Sequence, residues 1–88
     1  MKNAISLTGE QVIDRLDKDA LVEIYGRLRK EEAVTAILTA QYVVYNLLVC
    51  FHDDKDEAIA TMRSLGEMTE EMLNKNFDKE KTKGRIKQ

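Results

Sequence analysis

The sequence predicts an all-α protein of three helices, in which a short N-terminal helix precedes a long helical hairpin and several copies form an oligomeric helix bundle. Three observations predict this fold class. The 88 residues include no proline and only four glycines, so the chain lacks the turns that many short strands would need. Apolar side chains recur at the three- and four-residue spacing of a helix face. The stretch Ala33–Phe51 carries no charge, although 34% of all residues are charged.

Chain length and charge bound the architecture. A chain this short forms at most one domain, over residues 1–88, and buries only roughly 60–65% of the surface that it exposes when unfolded. Residues 81–88 hold four basic and no acidic side chains, and the residues before them hold ten basic and sixteen acidic ones. We therefore predict an acidic helical body with a loose basic tail at 79–88, and residues 1–7 are also expected to be loose.

The first predicted helix covers residues 9–16. Thr8 and Gln11 have the three-residue spacing of a capping box, in which each side chain bonds to the backbone of the other. Asp17 then offers a new cap, so this helix either ends there or merges with the next one.

The second and third predicted helices cover residues 19–51 and 55–77 and form the hairpin. Gly26 marks a kink or a close helix approach within the second helix. The acidic segment HDDKDE separates the two helices, and its charges suit the helix ends on both sides. One side of the third helix is apolar and consists of Ala58, Ile59, Met62, Leu65, Met68, Met72, Leu73 and Phe77.

The uncharged stretch has a distinct pattern when it is wound as a helix at 100° per residue. A polar ridge consists of Thr35, Thr39, Tyr42 and Asn46. A first apolar seam on the far side consists of Ala33, Ile37, Ala40, Val44, Leu47 and Phe51. A second seam beside it consists of Val34, Leu38, Gln41, Tyr45 and Leu48.

The two seams predict self-association. Together they cover roughly two thirds of the helix circumference, which is more than the ~100° stripe of a surface helix. The third helix is expected to cover the second seam, and too little chain remains to cover the first. An exposed apolar surface of this size promotes aggregation unless a partner covers it. We therefore predict a homo-oligomer, with a dimer as the expected state and the first seam as its interface, although the roles of the two seams can be reversed.

Two other structures are compatible with the uncharged stretch. Its length suits a single membrane span, but Gln41, Tyr42, Tyr45 and Asn46 lie at or just past the middle, where a bilayer is driest, and acidic residues flank both ends. A β-strand is compatible with its valines and tyrosines, but the chain offers no second strand to pair with it.

The sequence contains no recognisable catalytic or metal-binding motif, such as a phosphate-binding loop, a nucleophile elbow or a zinc-binding spacing. Cys50 and His52 stand at neighbouring helix positions that do not face each other. The HDDKDE segment lacks the glycine and the spaced ligands of a calcium loop, and helix capping accounts for it. We expect neither enzymatic activity nor a cofactor or metal.

The expected function is protein–protein interaction. We predict a small cytoplasmic accessory or regulatory module that binds itself and another protein; its composition is compatible with an accessory or inhibitor protein of phage or plasmid type. The single cysteine permits no intrachain disulfide and the N-terminus lacks the apolar core of a signal peptide, as in a cytoplasmic protein. The alternative is a small nucleic-acid-binding regulator that uses Arg27, Arg29, Lys30, Lys81, Lys83, Arg85 and Lys87.

Overall fold

The computed structural model describes residues 9–86, with side chains described from Glu10 to Thr82. This part of the chain contains four α-helices and no strand: α1 (Gly9–Arg15), α2 (Lys18–Leu28), α3 (Ala33–Phe51) and α4 (Lys55–Ile86). The all-α fold class is therefore confirmed, and the chain has one helix more than predicted. The predicted cap Thr8 and the predicted loose residues 1–7 lie outside the described residues.

The first two helices are separate. The Asp17 side chain accepts a hydrogen bond from the Ala20 backbone N–H at 3.0 Å and so caps α2. A side chain that satisfies one of the free N–H groups of a first helical turn stabilises a helix start at that point. Of the two predicted alternatives, the structure shows the break rather than the merger.

The predicted continuous helix over 19–51 is wrong, because a turn at residues 29–32 divides it into α2 and α3. The backbone N–H of Arg29 closes α2 by donating to the Tyr25 carbonyl at 2.9 Å. Glu32 then adopts an extended conformation and caps α3, with its carboxylate accepting from the Thr35 N–H at 3.1 Å. Gly26 does not mark the close helix approach that was one of its two predicted roles, because no neighbouring group comes within 4 Å of a Cβ placed there.

Helix α4 is longer than predicted. It runs without a break through Gly66, as expected, but it extends to Ile86 instead of ending near residue 77. Residues 79–86 are therefore helical, and the prediction of a loose tail is wrong for them. At 1.5 Å per residue, α4 is about 48 Å long and α3 about 28 Å, so α4 extends well beyond its partner in the hairpin.

Helix α3 is the central element, since it packs against both α2 and α4. A short corner at residues 52–54 reverses the chain between α3 and α4. The Asp54 side chain accepts from the Glu57 backbone N–H at 3.3 Å, which caps the start of α4. The His52 side chain reaches across the corner to Thr61 on α4, with 3.0 Å between Nε2 and Oγ1.

The described chain has no apolar core. Thr61, at 5% exposure, is the only described residue that is buried as a whole. The accessible surface is 8081 Å², whereas a compact monomer of 10.1 kDa exposes about 5300 Å². The radius of gyration is 14.7 Å, against about 12 Å for a compact domain of this length. Folding of this chain therefore leaves a large apolar area to be covered by something else.

The cap of α3 predicts a pH dependence. The hydrogen bonds from the Thr35 N–H, and secondarily from its hydroxyl, lower the pKa of Glu32 below the usual 4.5. A lowered pKa means that the cap stabilises α3 above the unfolded-state value, and that this contribution is lost as the pH falls through the folded-state value. We expect the Thr35 amide NMR signal to titrate with a midpoint below 4.5.

The variant Glu32→Gln is the matched control, because glutamine keeps an acceptor oxygen but carries no titrating charge. Its Thr35 amide signal should not follow the Glu32 titration. A wild-type Thr35 midpoint at or above 4.5 would contradict the capping interaction.

Candidate interaction surface

The most exposed apolar surface lies on α3. Nine large apolar or aromatic side chains of this one helix are at least 45% exposed, and the exposure of Phe51 reaches 75%. A chain of this size ordinarily places such residues in its core. The nine residues are Val34, Ile37, Leu38, Tyr42, Val43, Tyr45, Leu47, Val49 and Phe51.

The less exposed side of α3 identifies which face the chain itself covers. The half-buried side chains of this helix recur at four-residue spacing, as Ala36, Ala40, Val44 and Leu48. Because α2 and α4 are the elements that pack against α3, this stripe marks the side that they cover. On the helical wheel this stripe is centred on the first predicted seam, and only its last member, Leu48, belongs to the second.

Each predicted seam therefore contains both half-buried and exposed residues. In the first seam, Ala40 and Val44 are half-buried, while Ala33, Ile37, Leu47 and Phe51 are exposed. In the second seam, Leu48 is half-buried, and Val34, Leu38, Gln41 and Tyr45 are exposed. The prediction that the hairpin helix covers the second seam is thus wrong for most of its length. The assignment of the first seam to an oligomer interface stays a prediction.

A continuous exposed face lies beside the half-buried stripe. Its members occupy a sector of about 100° on the helical wheel. The aromatic rings of Tyr42 and Tyr45 pack against each other on this face, with centroids 5.3 Å apart. Sequence reasoning missed Val49, which follows Tyr45 at the four-residue spacing of a helix face. We call this surface the exposed face; it consists of Val34, Leu38, Gln41, Tyr42, Tyr45 and Val49.

The polar ridge directs its hydrogen bonds into its own helix. The Thr39 hydroxyl donates to the Thr35 carbonyl at 2.6 Å, and the Asn46 amide donates to the Tyr42 carbonyl at 3.0 Å. Such bonds to the carbonyl four residues earlier satisfy the side chains without a partner. The ridge therefore does not require a second polar surface to face it.

A groove of about 530 Å³ lies between α3 and α4. On α3 its wall includes Tyr45 and Val49 of the exposed face, and on α4 it includes Ile59 and Met62. Ile59 is itself exposed. The groove extends the exposed face sideways onto the second helix of the hairpin, so both form one apolar surface.

The hairpin corner holds the best-buried polar contact. The His52 side chain is 6% exposed, with its Nδ1 atom 3.8 Å from a Glu57 carboxylate oxygen. Its Nε2 atom bonds to the Thr61 hydroxyl. This contact fixes the start of α4 against the end of α3 and so sets which side of each helix faces the other. Sequence reasoning assigned no role to Thr61, because a single threonine carries no signal of burial in the sequence.

The structure brings only some of the predicted basic contact residues close to one another. Arg27, Arg29 and Lys30 line one shallow hollow with Glu23, and the Arg29 guanidinium lies 5.6 Å from the centre of the Tyr25 ring. Lys81 lies on α4, 5.5 Å from the Phe77 ring centre. Lys83 and Arg85 are helical positions of α4 whose side chains lie outside the described part, as does all of Lys87.

A second apolar stripe lies on the part of α4 that follows its contact with α3. Met72, Leu73 and Phe77 are about half exposed and share one side of the helix. The neighbouring pair Glu71 and Lys75 forms an exposed ion pair at 2.9 Å, which supports the helix locally but covers none of this stripe.

The described residues differ in what they offer to a metal ion and to a membrane. No group of three or more His, Cys, Asp or Glu residues is placed to hold a metal ion. One helix, α3, is long and apolar enough to cross a membrane, with a mean hydropathy of 1.7 and none of its length buried. Length and composition alone do not distinguish a span from a helix that a protein partner covers.

No protein-family model, curated protein or solved structure matches this chain.

Proposed function

We propose that this protein is a small, non-enzymatic interaction module of the cytoplasm, which forms a helical homodimer and in that form binds another protein. The observation that carries the proposal is the exposure of α3, an uncharged helix with nine large exposed side chains, in a described part of the chain that has no apolar core. Marginal stability arises from burial of apolar area, so described residues that form no core gain stability from a partner that covers them.

The excess surface is at least as large as the area that each chain of an obligate homodimer buries. The chain exposes about 2800 Å² more than a compact monomer of its mass. Obligate homodimers bury about 2000–5000 Å² in total, or about 1000–2500 Å² on each chain. Small chains commonly reach stability through such dimers.

The hairpin favours a protein partner over lipid. Charged side chains of α4, among them Arg63 and Glu67, lie on the helix that packs against α3. If α3 crossed a bilayer with α4 beside it, those charges would enter the hydrocarbon at about 2.5–3.5 kcal/mol each. A second copy requires no such transfer and leaves the hairpin intact.

The second candidate is a single-span membrane protein, and two observations favour it. Helix α3 has the length and apolarity of a span, and the polar side chains Thr39 and Asn46 are satisfied within the helix. As a membrane span, α3 would separate from α4 when it inserts into the bilayer. Small and polar residues of the polar ridge would then hold the α3 helices of different copies together.

The protein partner is proposed to bind the stripe of Met72, Leu73 and Phe77. This stripe lies on the part of α4 that no other described element covers. Methionine adapts to irregular partner surfaces because its side chain is unbranched and flexible, and an apolar helix stripe suits a groove on another protein.

Sedimentation equilibrium of the untagged chain tests the dimer and separates it from the membrane candidate. We expect a mass of two chains at micromolar concentration without detergent. A mass of one well-folded chain would overturn the dimer. Recovery of the protein in the membrane fraction after high-salt and alkaline washes would establish the single-span candidate instead.

The variant Phe77→Glu tests the partner surface, with Asn74→Glu as the control outside the sector of α4 that the stripe occupies. A protein captured from cell extract by the wild type and by Asn74→Glu should be lost with Phe77→Glu. Capture that is equal in all three would exclude this stripe.

A further inference from the structure

We propose that the second copy packs its α3 antiparallel against α3 of the first, with Leu38 on the partner's Tyr45 and Val34 on the partner's Val49. This inference rests on the proposed homodimer and names the surface and register of its contact. The partner is a second copy of this chain, and the contact is made by the exposed face.

The spacing of the exposed face is symmetric about its centre. A two-fold axis perpendicular to two antiparallel helices pairs positions whose residue numbers add to a constant total. Val34 with Val49, Leu38 with Tyr45, and Gln41 with Tyr42 all give the same total. The face maps completely onto itself, as an isologous interface requires, and from Val34 to Val49 the contact is about 22 Å long.

The groove receives the part of the partner that this register brings to it. Tyr45 and Val49 line the α3 wall of the groove, so the partner's Leu38 and the partner's Val34 lie over it. Ile59 on the opposite wall is exposed in the single chain, and formation of the dimer gives it an apolar neighbour. The contact thus joins each α3 to both helices of the other hairpin, which gives a four-helix core of two α3 and two α4 helices.

Charge favours the antiparallel direction over the parallel one. The turn before α3, residues 29–32, has two basic and two acidic side chains, whereas residues 53–56 after it have one basic and three acidic ones. Antiparallel packing places the neutral turn of one copy beside the acidic corner of the other, with Arg29 and Lys30 available to Asp53 and Asp54. Parallel packing places the two acidic corners side by side, where like charges repel. Antiparallel helix dipoles also oppose each other favourably.

Disulfide trapping tests the register in the full chain. Cys50 is exposed and is first replaced by Cys50→Ser, so that only introduced thiols react. Leu38→Cys and Tyr45→Cys are then made separately in this background. We expect oxidation of an equilibrated mixture of the two variants to trap a covalent dimer, and oxidation of either variant alone to trap little. Two copies of position 38 would lie about 10 Å apart along the axis, beyond the ~7 Å limit for Cα atoms of a disulfide.

Each other outcome of the disulfide-trapping experiment has a different meaning. If each variant alone is trapped as efficiently as the mixture, the helices are parallel and the inference is wrong. Thr39→Cys, on the polar ridge, is the control and should trap with neither variant. If either variant fails to fold, Val34→Cys with Val49→Cys reports on the same register. Sedimentation of the Cys50→Ser chain separates the two proposals: a single-chain mass removes the homodimer itself, whereas a dimer that is not trapped by the mixture removes only the antiparallel register.

Discussion

The variant Leu38→Glu should sediment as a single chain at concentrations at which the wild type sediments as a dimer. Leu38 is 61% exposed in one chain and lies near the angular centre of the exposed face. Burial of a leucine side chain contributes about 1.5–3 kcal/mol to the free energy of association. This contribution occurs twice, because each of the two symmetric copies buries its own Leu38. The substitution loses this contribution and also places a carboxylate in an apolar contact, which adds several kcal/mol. Each 1.4 kcal/mol is tenfold in affinity, so we expect a dimer weakened by at least about 100-fold.

Thr39→Glu is the matched control for this experiment. It introduces the same charge at the next residue, about 100° around the helix and on the polar ridge. The Thr39 side chain bonds only to its own helix in the structure, through the Thr35 carbonyl. We expect Thr39→Glu to keep the wild-type mass. A dimer of wild-type affinity in Leu38→Glu would remove the exposed face from the interface.

Helix boundaries were predictable where the sequence contains a strong cap. Asp17 and the HDDKDE segment mark the starts of α2 and α4 because aspartate is among the preferred capping residues. The break before α3 was missed because its cap is Glu32, a residue type that ordinarily favours helix interiors. Neither glycine nor proline accompanies that turn. The end of α4 was missed for a related reason: the lysines and glutamates after Phe77 favour helix and supply no stop signal.

The rotation of α3 within the hairpin was not predictable from its own pattern. A helical wheel fixes the angle between the two seams, but it does not say which one faces a neighbouring helix. That choice is made at the corner, where Asp54 caps α4 and where His52 bonds to Thr61. These contacts join groups nine residues or fewer apart, and they turn the half-buried stripe, which is centred on the first seam, toward the rest of the chain. The exposed face is therefore a property of the hairpin and not of α3 alone.

The variant Val44→Glu should act on folding of each chain, in contrast with Leu38→Glu, which should act on association. Val44 belongs to the half-buried stripe of α3, on the side that α2 and α4 cover. A glutamate at this position loses the burial of the valine, about 1.5 kcal/mol or more, and holds a charge between packed helices without a basic partner. The combined cost of about 3–5 kcal/mol is a large fraction of the 5–15 kcal/mol that ordinarily stabilises a domain.

Protein concentration separates the two effects. Association obeys mass action, so a higher concentration should restore dimer and helical circular dichroism in Leu38→Glu. In Val44→Glu the hairpin itself is lost, and a higher concentration should produce aggregate without recovery of the helical signal. Val44→Ala, which removes apolar volume but adds no charge, should remain folded with a lower urea midpoint. If Val44→Glu instead forms a dimer with the urea midpoint of the wild type, then the half-buried stripe contributes nothing to the hairpin, and the distinction between the covered and the exposed sides of α3 is wrong.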